Sequence, residues 1–253
     1  MLLFLKEGEN MLRIIPKNKH KKHDDYQGVE SYFHFSNDKY YAPSKINYGV
    51  IYGLNDYTMH SNSGLAPKKN QNVEVLTYVY EGHLTHVNSM NHVETFKEGS
   101  LNYLSAGTGV LHSERNATTK PLKMVTFYAL PNQYNTKPEF QSLYSNPKNR
   151  KNQLTKLIGN HPNDLLSIKQ DLEVFVCDSD SNQEYVIDIK QDRQAYIVCL
   201  KGSLNINGKL LESHDSAKVE KTQLTIQALE KSTFMILEMC LVIDQRQFDK
   251  STN

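Results

Sequence analysis

The chain has 253 residues, with 29 Lys plus Arg against 28 Asp plus Glu, a formal net charge of +1 at neutral pH. So even a balance excludes the overall basic field that drives direct nucleic-acid binding, and it leaves no acidic tail. The length is ample for a buried core and fits two domains of moderate size better than one small one.

In chain order, the opening MLLFLKEGEN is a short apolar burst with its charge behind it, too brief for a signal segment or a membrane span. Met11 begins a second plausible start, so it stays open whether residues 1–10 belong to the native chain. The run PKNKHKKHDD at 16–25 reads as a solvated loop, because it lacks interleaved aromatics and meets acids at once. Strand signals then dominate. VEVLTYVYEG (73–82), SLNYLSA (100–106), LKMVTFYALP (122–131), AYIVCLKGSLNING (195–208) and TFMILEMCLV (233–242) are rich in β-branched and aromatic residues and punctuated by Gly, Asn and Pro. They predict an all-β protein, with helical spacing only around 137–146 and 162–170. Cys177, Cys199 and Cys240 sit in such apolar runs without CxxC spacing, the pattern of buried thiols in a reducing, cytoplasmic compartment.

An internal repeat sets the architecture. TYVYEGHLTH (77–86) and YIVCLKGSLNI (196–206) both place an apolar strand before a charged residue, Gly, any residue and Leu, so that Gly82 corresponds to Gly202. Each half closes on a further apolar run. Two copies of one antiparallel β-barrel or sandwich unit follow, over 1–131 and 161–253, joined by a polar surface linker at 132–160.

The stretch GTGVLHSE puts His112 and Glu114 two residues apart behind a glycine turn. On a strand they share a face and offer one imidazole and one carboxylate to a single site. Two ligands make a weak metal centre, since catalytic centres take three or more from the protein. His83, His86 and His92 are close in sequence without HxH or HxxxH spacing and read as surface or hairpin-lining residues. Glu74 and His60 are at most supporting neighbours. The glycines of AGTGVLH lack the third Gly and following helix of a nucleotide loop, and instead permit the turn that aims His112 inward. Asp56, His60, Ser61 and Ser63 are too loose a cluster for a hydrolase triad. Tyr32, Tyr103 and Tyr128 suit aromatic core roles.

The segments NVEVLTYVYEGHLTHVNSMN, EGSLNYLSAGTGVLHSE and FYALP resemble the N-terminal domain of the pirins, two-barrel members of the cupin superfamily. ESYFHFSNDKYY (30–41), QDLEVFVCDSD (170–180) and KGSLNINGK (201–209) extend the resemblance over nearly the whole chain. It implies a bicupin: two jelly-roll-like antiparallel barrels, the first holding a metal, usually iron, through an HxH pair, a later His and a nearby Glu. Some bacterial members are quercetin dioxygenases and others are described as regulators. His112 and Glu114 match the last two ligands. The place of His-Pro-His falls on Lys68, Lys69 and Asn70, so both imidazoles of the pair are missing.

A protonated lysine has no lone pair and repels a divalent ion, and an amide oxygen is a poor iron ligand. By parity Lys68 and Asn70 share a face, which the family's arrangement implies is the cavity face carrying His112 and Glu114. Lys68 is expected to pair with Glu114 in place of the ion, and Asn70 to hydrogen-bond His112 and set its tautomer. The expected protein has no cofactor and binds a small aromatic or anionic molecule at Lys68, Asn70, His112 and Glu114. A competing reading has Lys68 in solvent and iron or another divalent transition metal held weakly by His112, Glu114 and a neighbour such as His60 or Glu74. Glu114 would then be the catalytic base of a quercetin 2,3-dioxygenase-like oxidoreductase. A third is a regulator acting by protein contact. The second barrel, with no HxH between 170 and 245, reads as structural.

Overall fold

The computed structural model describes residues 11–25, 27–161 and 164–241, so the readings of the first ten residues fall outside it. In chain order the strands are β1 (Leu12–Ile15), β2 (Lys21–Asp24), β3 (Val29–Phe33), β4 (Ile51–Met59), β5 (Gly64–Asn70), β6 (Glu74–Glu81), β7 (His83–Asn88), β8 (Val93–Lys97), β9 (Ser100–Ser105), β10 (Val110–Arg115), β11 (Leu122–Ala129) and β12 (Glu139–Tyr144). After the short helix α1 (Pro147–Arg150) come β13 (Thr155–Gly159), β14 (Leu166–Ser167), β15 (Leu172–Ser179), β16 (Glu184–Asp188), β17 (Arg193–Lys201), β18 (Ser203–Ile206), β19 (Lys209–Glu212), β20 (Ser216–Glu220), β21 (Gln223–Ala228) and β22 (Ser232–Cys240).

The strands form two barrels, each a seven-stranded sheet facing a four-stranded one. The first pairs β12-β9-β6-β11-β4-β3-β2 with β5-β10-β7-β8, and the second pairs β1-β20-β17-β22-β15-β13-β14 with β16-β21-β18-β19. The small sheets match strand for strand, β5-β10-β7-β8 against β16-β21-β18-β19. The repeat glycines do the same work in both. Gly82 (φ +83°) and Gly202 (φ +78°) take the left-handed turn after β6 and β17, where a Cβ would strike the Pro121 and Lys231 carbonyls.

The two large sheets pack face to face, which explains why their central strands are apolar throughout instead of alternating. Along β6, Leu76, Tyr78 and Tyr80 join Tyr196, Val198 and Leu237 in the seam between barrels. The intervening Val75, Thr77 and Val79 point into the first barrel, by the two-residue period of a strand. The second barrel is filled by Ile197, Cys199, Leu204, Leu224, Ile226 and Phe234. There β21, which stands where β10 does in the first barrel, supplies Leu224 and Ile226 to this apolar packing.

Three local expectations differ. Residues 137–146 form no helix; Glu139–Tyr144 is an edge strand registered on β9, whose free backbone edge outweighs local helical spacing. Among described residues of 162–170 there is only the two-residue β14, and the stretch read as a linker carries β12, α1 and β13. The chain also crosses between barrels at its start: β1 lies antiparallel on β20 (Leu12↔Val219 to Ile15↔Ser216) and covers the edge of the second barrel's large sheet.

Other side chains bind the barrels together. Arg150 on α1, 1% exposed, donates to the Ser145 carbonyl at 2.6 Å and meets Asp178 of β15 at 2.5 Å and Glu98 at 3.5 Å. Asp56 on β4 accepts the Tyr80 hydroxyl at 2.6 Å and faces His214 Nδ1 of the second barrel, also at 2.6 Å.

Candidate functional site

The small sheet of the first barrel carries the polar residues. β10 alternates exposed and buried positions, turning Val110, His112 and Glu114 inward. The turn before it holds Gly107 (φ +45°) and Gly109 (φ +135°), as the sequence suggests. β5 lies on one side, with Lys68 opposite His112 and Asn70 opposite Val110. β7 lies on the other, with His86 opposite Glu114 and Asn88 opposite His112.

Asn70 and His112 meet: Nδ2 of the amide lies 2.6 Å from Nε2 of the ring, and both residues are buried. Lys68 does not meet Glu114. Lys68 registers across from His112, and a shift in the pairing beyond it sets Leu65 across from Glu114. The ammonium lies 3.6 Å from Asp38 Oδ2 and 5.3 Å from the Tyr128 ring centre, with the side chain 48% exposed. A long flexible cation reaches water at the mouth more cheaply than it sheds its hydration beside a buried carboxylate.

Glu114 is 3% exposed and draws its compensation from elsewhere. Thr77 of β6 donates its hydroxyl to Oε1 at 3.0 Å and shares a second hydrogen bond with Thr126. His86, read from the sequence as a surface or hairpin residue, is 1% exposed, with Nδ1 3.8 Å from Oε1, too long for a hydrogen bond but close enough to act electrostatically. Its parity with buried Leu84 and Asn88 on β7 is the signal that finds it. Burial alone would raise the Glu114 carboxyl; His86, His112 and Thr77 outweigh it and hold the group below its ordinary value. Burial pushes His112 down, against an opposing pull from Glu114. The floor is therefore an ionised carboxylate beside a neutral imidazole.

The other sequence candidates lie apart. His83 and His92 are exposed, His60 pairs with exposed Glu30 at 3.3 Å, and Glu74 accepts from Ser105 in a separate polar niche with Tyr103. Tyr32 stacks on His214 at 5.2 Å.

The family's metal can be tested against this chemistry. One ligand atom each of His86, His112 and Glu114 lies within 4.8 Å of the others. The lone pairs are already spoken for, however. Asn88 Oδ1 accepts from the backbone N–H groups of Met90 and His92, which turns its Nδ2 toward His86 Nε2 at 3.2 Å. An imidazole accepting at Nε2 carries its proton at Nδ1, so His86 presents N–H, not a lone pair, to Glu114. The Asn70 amide, 2.6 Å away, engages His112 Nε2 as well. The residues do not fit a transition-metal centre of the kind the resemblance implies.

Above this floor opens a cavity of about 240 Å³ bounded by Phe33, Tyr57, Leu65, Lys68, His112, Glu114 and Tyr128. Its wall is aromatic and its mouth carries Lys39, Lys68 and Asp38.

Comparisons with known proteins agree with this architecture. Residues 16–128 match the pirin family model, and residues 159–239 match the model of the quercetinase C-terminal cupin domain. A Pseudomonas aeruginosa protein provisionally named as a quercetin 2,3-dioxygenase is 28% identical over 220 residues, 86% of this chain and 95% of that protein. The quercetin 2,3-dioxygenase of Escherichia coli K12 is 25% identical, over 88% of this chain and 96% of its own. The crystal structure of bacterial pirin YhhW from Escherichia coli in complex with nickel(II) superposes with a TM-score of 0.84 at 22% identity, covering 91% of this chain and 100% of that one.

Proposed function

Because the chain belongs to the pirin family of two-barrel proteins, we propose that its first barrel binds a small molecule through fixed protein groups and without the family's four-ligand metal centre. The observation that carries this reading is the 2.6 Å contact of Asn70 with His112, made where relatives of the pirin type keep a second imidazole. Lys68 stands in the other place of that pair and supplies a cation at the mouth in place of a ligand at the floor. Glu114 is stabilised by Thr77 and two imidazoles, so it stays buried and charged with no ion. In such a pocket Glu114 accepts a ligand's proton-bearing group, His112 lies beside it, and Lys68 attracts negative charge.

The test is metal analysis of protein purified without chelators, combined with assay on quercetin. Far substoichiometric metal and no turnover are the expected result. One transition-metal ion per chain with quercetin turnover overturns the proposal.

A second reading has one observation in its favour. His86, His112 and Glu114 bring three ligand atoms within 4.8 Å, the composition of a two-histidine, one-carboxylate site. With nickel in a structural neighbour, this supports a quercetin 2,3-dioxygenase-like oxidoreductase with a shifted ligand set. A bound ion would supply open positions for substrate and oxygen. It requires the Asn88–His86 and Asn70–His112 contacts to rearrange, and the same metal analysis decides it.

A further inference from the structure

The cavity has a direction. At its inner end Glu114 has only acceptor capacity: Oε1 takes the Thr77 hydroxyl, and Oε2 has no hydrogen bond among the described residues. Aromatic rings of Tyr57, Tyr128 and Phe33 line the cavity. The Tyr57 hydroxyl oxygen accepts from Asn55 Nδ2 at 2.8 Å and keeps its own O–H as a donor beside the ring face. The mouth carries two lysines, Lys39 and Lys68, and two acids, Asp25 and Asp38, and among the described residues neither lysine is held in a close ion pair. Asp25 Oδ1 is occupied by the backbone N–H groups of Gln27 and Val29, and Asp38 holds Lys68 only loosely at 3.6 Å. The Lys39 ammonium meets His23 Nε2 at 3.4 Å. An acceptor inside, an aromatic slot and exchangeable cations outside select opposite ends of one ligand.

We propose, on the basis of the metal-free reading above, that the pocket takes a single-ring hydroxylated aromatic carboxylate, hydroxyl inward to Glu114 and carboxylate outward to Lys68. The size supports one ring: about 240 Å³ lies below the roughly 300–1,000 Å³ usual for pockets of drug-sized ligands. A neutral hydroxyl suits the floor better than an ammonium does. It donates once to Glu114, whereas a buried ammonium needs acceptors for three protons and must shed its hydration. At the mouth the ligand carboxylate replaces Asp38 at Lys68 and leaves Asp38 to solvent, where it is already 79% exposed.

The experiment is calorimetric titration of protein verified free of metal with four probes: 4-hydroxybenzoate, benzoate, 4-hydroxybenzyl alcohol and 4-(aminomethyl)benzoate. Expected is binding of 4-hydroxybenzoate, weakened about tenfold or more by removing either end, a loss in keeping with one charge-assisted hydrogen bond. Lys68→Gln should abolish the advantage of the acid over the alcohol, and Glu114→Gln the advantage of 4-hydroxybenzoate over benzoate. Lys68 is on the rim, so its variant remains informative if Glu114→Gln fails to fold. Equal binding of alcohol and acid, stronger binding of the ammonium probe, or an unchanged preference in Lys68→Gln overturns the proposed orientation. If none of the four binds the wild-type protein, the single-ring proposal falls, while the metal-free reading stands or falls separately on the metal analysis above.

Discussion

His86 faces Glu114 with a protonated nitrogen because Asn88, two residues along the same strand, has its amide orientation fixed by two backbone N–H groups. A backbone turn at the end of β7 thus decides the tautomer of a buried imidazole one barrel wall away from solvent. The electrostatics of the floor are set by this contact as much as by the missing histidine pair.

Restoring that pair is the most direct check of the site's placement. In the variant Lys68→His with Asn70→His, two imidazoles enter beside His112, since Lys68 registers on His112 and Asn70 already touches it. Four ligands of the family type are then available. Metal analysis after loading with nickel or iron should rise from a trace to about one equivalent per chain. A double variant that folds and still excludes metal means that residues 68 and 70 do not face the floor.

Asn70→Leu preserves bulk and removes the amide. His112 Nε2 then has no donor in a buried position, which should destabilise the protein by about 1–3 kcal/mol. Urea unfolding monitored by tyrosine fluorescence reads the change. A neutral result would mean that His112 has another partner in solution, as the metal-bound reading requires.

Arg150→Ala should cost about 3–5 kcal/mol, the range for removing one partner of a buried ion pair. Its guanidinium is 1% exposed, and Asp178 would lose a partner that belongs to the other barrel's connection. Chemical unfolding should show a lower midpoint. A loss within the range of an exposed ion pair, about 1 kcal/mol or less, would show that the contact is dispensable.

Acid should weaken the seam between barrels. His20 and His34 stack at 3.7 Å there, and His34 Nδ1 and His20 Nε2 are joined through the Tyr196 and Ser216 hydroxyls. Burial, with Lys45 and His214 nearby, lowers His20 to about 3, and burial drives His34 well below its ordinary value. In the unfolded chain both take a proton near the usual value of about 6.5. The neutral forms thus act in full above about 6.5, and their contribution erodes as pH falls below it, for His20 down to about 3. Urea midpoints between pH 7 and pH 4 should fall steeply in the wild type and less steeply in His34→Gln. Parallel slopes would refute the assignment.

Much of the architecture was legible in the sequence because it is written in short-range terms. The matching Gly82 and Gly202 mark the same turn in both barrels, and the apolar runs around them coincide with β6 and β17. Strand parity puts Lys68 and Asn70 on one face, and the resemblance to the pirins turns that face toward His112. What escaped depends on partners remote in sequence. The edge of β9 recruits 139–144 as a strand, β20 recruits 12–15, and Lys68 reaches solvent at the mouth beside the loop residue Asp38 instead of Glu114. His86 was visible in principle, since Leu84, His86 and Asn88 alternate inward on β7, but spacing rules for metal pairs carry no information about burial.

The crossing of β1 onto β20 ties the order of synthesis to the order of assembly. The first described strand can find its partner only after nearly the whole chain has left the ribosome, so it must wait unpaired while the barrel that follows it closes. A newborn first barrel therefore trails a loose tether, which fastens only once the second barrel offers its edge.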